Sequence, residues 1–110
     1  YFFKLDFIES NCVKAWRGIG WCSFISLKYE QAMKYYEKII EQKPLAIDYM
    51  NAGHVAWVMG DVQKAAVFYG KAITASGNRE RFLEMFHKDE ESLLKQGVRE
   101  EDIPLMLDII

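Results

Sequence analysis

The sequence predicts an all-α fold: a solenoid of stacked antiparallel helix pairs closed by a C-terminal capping helix. The first observation behind this is an internal repeat. The stretch from Trp16 to Pro44 returns 33 residues on, with Gly20 recurring as Gly53, Ala32 as Ala65, Tyr36 as Tyr69 and Lys38 as Lys71. The second is that each copy splits into two helical halves; AMKYYEKII, from Ala32, aligns with AAVFYGKAI, from Ala65, without a gap. A period of this size with that split marks a helical repeat array. The third is a partial copy: 34 residues back, Tyr1-Phe2-Phe3-Lys4-Leu5 aligns with Tyr35-Tyr36-Glu37-Lys38-Ile39. Three copies of the second half are present, and the first lacks its partner.

The elements follow in order. Residues 1–10 read as the second helix of a truncated repeat, with Phe2, Phe3, Leu5 and Ile8 on an apolar stripe. Ser10 and Asn11 are expected to stop it and cap the next helix. Residues 12–44 form the first full repeat. In its first helix Val13, Trp16, Ile19, Gly20 and Ser23 follow the 3.6 period. Gly18 and Gly20 would each cost about 1 kcal/mol relative to Ala inside a helix, which implies close approach of another helix. Leu27 and Lys28 carry the turn without a glycine. Tyr29 to Gln42 is the second helix, facing its partner through Ala32, Tyr36 and Ile39, with Pro44 beyond its end.

Residues 46–77 form the second full repeat. Its first helix runs from Ala46 to about Met59, Gly60 and Asp61 are stop and start signals, and Val62 to Ala75 follows before Gly77. Residues 78–110 are the C-terminal capping helices. Arg79 to Gln96 reads as one longer helix in which Phe86 falls where earlier copies have Gly20 and Gly53, so a partner helix should pack less closely there. Gly97 ends it, and Asp102 is expected to cap a last segment, IPLMLDII, with Pro104 in its first turn. Because it opens inside a repeat half without an initiating Met, the chain is expected to be a piece of something longer.

Composition narrows the function. A formal charge of −2 and a pI near 5.7 give no basic stripe for nucleic acid. No apolar run reaches the roughly 18–20 residues of a membrane span. Cys12 and Cys22, if on one helix, lie roughly 15 Å apart, too far for a disulfide. Two unpaired thiols point to a reducing, cytoplasmic compartment.

The residues carrying the repeat resemble the tetratricopeptide repeat family, whose pattern is W-x2-L-G-x2-Y, A-x3-F and P over about 34 residues. The first copy gives Trp16-x2-Ile19-Gly20-x2-Ser23, Ala32-x3-Tyr36 and Pro44; the second gives Tyr49-x2-Ala52-Gly53-x2-Ala56, Ala65-x3-Tyr69 and Gly77. Ser23 and Ala56 replace the aromatic, Leu27 replaces the loop glycine, and the second proline is missing. The resemblance implies a right-handed superhelix with a concave face built by the first helix of each pair. That face takes extended peptides or helices of other proteins. Carried position by position, the groove-lining residues are Lys14, Arg17, Gly18, Trp21, Phe24 and Ile25, then Ile47, Met50, Asn51, His54, Trp57 and Val58. Lys14, Arg17, Trp21, Phe24, Met50, Asn51, His54 and Trp57 are the candidate partner-binding set, an aromatic strip with cations at one end. Trp16, Tyr36 and Tyr69 occupy the family's core positions. The Lys, Arg and Asn clamp that some members use for acidic tails is not matched, since Trp21 and His54 stand where a clamp Asn is expected.

Chemistry is poorly supported. His54 and His87, the only histidines, have no metal-type spacing to a cysteine. A Cys22–His54 nucleophile fails because Cys22 is expected to be buried between helix pairs, where thiols are inert. Glu90-Glu91 and Glu100-Glu101-Asp102 read as solvated faces or helix starts. Gly18-x-Gly20 follows no strand, so it is no phosphate loop. The expected protein is therefore not an enzyme and needs no cofactor or metal. It is a scaffold binding a protein or peptide, or else an oligomerisation segment whose groove is filled by its own helices or a second copy.

Overall fold

The computed structural model describes the backbone of residues 2–42 and 44–110, and the side chains of 12–42 and 44–110. It contains α1 (Phe2–Ile25), α2 (Tyr29–Ile40), α3 (Ala46–Val58), α4 (Val62–Ser76), α5 (Arg79–Lys95) and α6 (Asp102–Ile109), with no strand among the described residues. α1 packs on α2, α2 on α3, and α3 on α4, with α5 lying against both α3 and α4. Stacking in series, rather than wrapping about one centre, gives the elongated 52 × 30 × 22 Å shape.

The expected break at Ser10 and Asn11 is absent, and α1 runs through both residues. Neither is Gly or Pro, and each costs below about 0.7 kcal/mol inside a helix. A break would instead create two more helix ends, each with four unsatisfied backbone groups. The stripe of Phe2, Phe3, Leu5 and Ile8 lies outside the described side chains.

Turn chemistry recurs with the repeat. The Lys28 amide donates to the Ser23 carbonyl at 2.8 Å, and Asp61 repeats this to Ala56 at 2.9 Å. Val98 does the same to Leu93 at 3.0 Å. Such closures need a left-handed residue, supplied by Gly60 at φ 91° and Gly97 at φ 109°. In the first turn Leu27 takes that conformation at φ 66°. A side chain there costs roughly 1–2 kcal/mol, so the missing loop glycine is tolerated at the expense of backbone strain. Asp61 and Asn78 cap α4 and α5, accepting from the amides of Lys64 and Arg81 at 3.1 and 2.8 Å. Asp102 is not a cap: it is the first residue of α6, and no side-chain cap bond forms there.

The two hairpins are locked by tyrosine rings laid over glycines. A Cβ added at Gly20 would stand 3.1 Å from the Tyr36 ring, and one at Gly53 only 2.7 Å from Tyr69. The close approach expected at Gly18 does not occur, because nothing lies within 4 Å of its Cβ direction. Gly18 sits on an exposed part of α1 that α2 does not cover. In the third pair Phe86 fills the glycine position and is fully buried, and α6 lies farther from α5 than partners do in the first two hairpins. The Arg79 guanidinium, donating to the Leu107 carbonyl, ties the end of α6 to the start of α5.

These contacts set the order of a glycine series. Gly53→Ala is expected to lower stability by about 1–2 kcal/mol, overpacking outweighing the gain in helix propensity. Gly18→Ala should raise it by about 0.5–1 kcal/mol, with Gly20→Ala between them. Urea denaturation of the three variants checks the order.

Candidate partner-binding face

The face in question is where α1 and α3 lie side by side, since these helices carry every predicted binding residue. Lys14 stands exposed at one end. Arg17 has its guanidinium committed: Nε and Nη2 donate to the two Asp48 carboxylate oxygens at 2.7 and 2.8 Å. Asp48 is fully buried and also accepts from the Leu45 amide at 2.7 Å. The Asp48 hydrogen bond raises the Arg17 pKa further. Arg17 is therefore an internal counter-ion rather than a free cation for an acidic ligand.

Trp21 is half-buried, its ring 5.4 Å from that of Phe24. Ile25 and Ile47 are exposed, while Asn51 and Val58 are half-buried. The other four members of the set are interior. Phe24 and Met50 are each 1% exposed, His54 0% and Trp57 8%, so the expected aromatic strip is not an open surface along its length. The cover is α5. Phe86 stacks 6.4 Å from Trp57 and lies 5.6 Å from His54. The Tyr29 hydroxyl, at the start of α2, donates to Gln96 at the end of α5, so α5 reaches across α3 to the first hairpin.

His54 is held on both sides. A carboxylate only accepts, so Nε2–H donates to Asp89 at 3.0 Å, which leaves Nδ1 to accept from the Tyr69 hydroxyl at 2.6 Å. Burial lowers the His54 pKa, opposed by the Asp89 hydrogen bond and charge, and the ring is neutral. Burial, then Asp89, pushes the Tyr69 phenol well up. One repeat earlier Trp21 replaces His54, and the Tyr36 hydroxyl has no such partner. It and Asn51 Oδ1 are buried without hydrogen bonds, yet the two side chains adjoin.

Cys22 is exposed, contrary to the expected burial, because its side of α1 forms a shallow surface groove with Ala15, Gly18 and Ile19. Cys12 is exposed too, on the same helix. The Cys22–His54 pair has no base, since both His54 nitrogens are engaged within the core. Trp16 packs half-buried against the core, with the Lys38 ammonium 5.7 Å from its ring. No group of three or more His, Cys, Asp or Glu suited to a metal occurs among the described residues. No helix among them is long and apolar enough to cross a membrane.

Two residues escaped the sequence reading. Asp89 sits on the stripe Phe82, Phe86, Leu93 at helical spacing, and an acid on an apolar stripe is a signal of a buried partner. Asp48 lies in the first turn of α3, where an acid is ordinary. Its pairing with Arg17 depends on how two repeats stack.

Two outcomes follow. Tyr69→Phe should cost about 1–3 kcal/mol by stranding His54 Nδ1, and Tyr36→Phe less than about 1 kcal/mol, as read by chemical denaturation. His54 has a folded pKa below its unfolded value near 6.5, so its contribution to stability is complete above that value and declines as pH falls toward the folded pKa. Melting between about pH 7.5 and 5.5 should show a loss of stability that His54→Gln flattens.

In comparison with known proteins, residues 14–44 match the family model described as tetratricopeptide repeat. No curated protein and no solved structure matches the chain.

Proposed function

We propose that this all-helical chain, whose residues 14–44 match a tetratricopeptide repeat model, is a protein–protein interaction module holding a partner segment against its concave face. Such repeats generally mediate protein–protein interactions. The observation that carries the finer reading is Trp21. It stays half-exposed on α1, which also carries exposed Lys14 and Ile25, with its ring 5.4 Å from that of buried Phe24. A large ring buries much area at little entropic cost, as binding hot spots do. His54 and Trp57 act below the surface in this reading, fixing α5 and so the shape of the groove. The reading is non-catalytic, as is general for this family of interaction repeats.

The alternative is a structural or oligomerisation segment with its groove filled from within. The seat of α5 over Trp57 and Tyr29 favours it. The two readings differ in what α5 leaves open at Trp21.

A photo-cross-linker at Lys14 or Ile47 is expected to capture a partner from the source lysate, and one at exposed Val67 of α4 to capture none. Trp21→Ala, with unchanged helicity, should weaken capture by about tenfold or more. Equal capture from both faces, or a mass in solution that rises with concentration while Trp21→Ala changes nothing, overturns the binding reading in favour of the structural one.

A further inference from the structure

At the turn between α3 and α4, Trp57 and Val62 form one wall of a cleft and α6 the other. The cleft measures about 260 Å³ and is lined further by Asp102, Leu105, Met106 and Ile109. A second hollow of about 250 Å³ adjoins it, sharing Trp57, Val62 and Asp102 and adding Val98 and Arg99. α6 spends its inner face on the core through Ile103 and Met106, leaving Leu105 and Ile109 each 62% exposed. With exposed Val62, which lines the same cleft, they make an apolar surface of the kind that marks interaction sites.

The charges around this surface are mostly acidic. Asp102 lines it, and Asp61, Glu100 and Asp108 neighbour its lining in sequence; none of the four forms an ion pair among the described residues. Arg99, the cation of the lining, is turned onto Glu101 at 3.1 Å. An anionic membrane or nucleic acid is repelled by such a rim, and a cationic segment is drawn to it. Each hollow is smaller than the about 300–1,000 Å³ of a small-molecule site, which suits a single side chain.

We propose that this cleft docks a cationic amphipathic segment of a partner protein. One bulky aliphatic or aromatic side chain sits against Trp57, Leu105 and Ile109, and flanking Lys or Arg residues face the carboxylates. The site is separate from the Trp21 face and stands whether or not that face binds.

The test uses the full chain and labelled helical peptides of about fourteen residues, read by fluorescence anisotropy. One peptide combines Leu with Lys, one Leu with Glu, and one Ser with Lys, all at the same spacing. The Leu/Lys peptide should bind at least tenfold more tightly than the other two. Leu105→Ser/Ile109→Ser and, on the opposite wall, Val62→Ser should each weaken it at least tenfold. Asp102→Asn/Asp108→Asn should weaken it about threefold, as should raising salt from about 0.05 to about 0.5 M. Trp21→Ala should leave it unchanged. Val62→Ser keeps the test decisive if circular dichroism shows that the α6 double variant has lost helix. Equal binding of the Leu/Lys and Leu/Glu peptides, or full affinity in Val62→Ser, overturns the proposal. So does concentration-dependent dimerisation that Val62→Ser abolishes, which would give the cleft to a second copy.

Discussion

Everything in this molecule depends on the distance between two helix backbones, and that distance is set by a tyrosine ring lying on a glycine. Tyr36 on Gly20 and Tyr69 on Gly53 bring each pair of helices together closely enough that alanine-sized groups, Ala32, Ala52 and Ala65, complete the interface. Dispersion forces fall steeply with separation, so a small gain in approach multiplies many weak contacts. Once each hairpin is that tight, its first helix projects its larger side chains away from the partner and toward the next hairpin. Phe24, Met50 and Trp57 are aimed in this way, and the stack of hairpins buries them. The third pair shows what happens without the glycine. Phe86 occupies the space itself, contributing its ring to a cluster with Tyr69, Trp57 and Phe82, and α6 stands off.

Buried polar groups then decide how the hairpins are oriented relative to one another. Apolar contacts tolerate sliding, whereas the paired bonds of Arg17 with Asp48 join α1 to α3 in one geometry. His54 does the same between α3, α4 and α5, using one nitrogen for each neighbour. Removing one partner from such an arrangement leaves a dehydrated polar group, which makes the arrangement specific even where its net contribution to stability is modest.

Much of this was legible in the sequence. The 33-residue recurrence located both tyrosine–glycine pairs, because they are properties of the repeat and appear twice. Gly60, Asp61, Gly77 and Gly97 marked helix ends through local backbone chemistry, and the helices end there. Ser10 and Asn11 misled because their preference for caps is weaker than the preference of a helix to continue. The candidate face was half legible. Its residues were found by register, but register does not report cover, and the cover over His54 and Trp57 depends on the ring of Phe86 lying against both. Asp48 was invisible for a related reason: its partner lies in another repeat, and no local pattern records how repeats stack.

In a linear array each unit touches only the units beside it, so its two ends loosen independently. The bond between Tyr29 and Gln96 changes that connectivity, because it joins the first hairpin to the helix that follows the second. The contacts from hairpin to hairpin to α5 and back close into a ring. Release of α5 uncovers Trp57 in the second hairpin and frees the Tyr29 hydroxyl of the first, withdrawing support from both at once. A chain built as a series of units is thereby made to melt as one body.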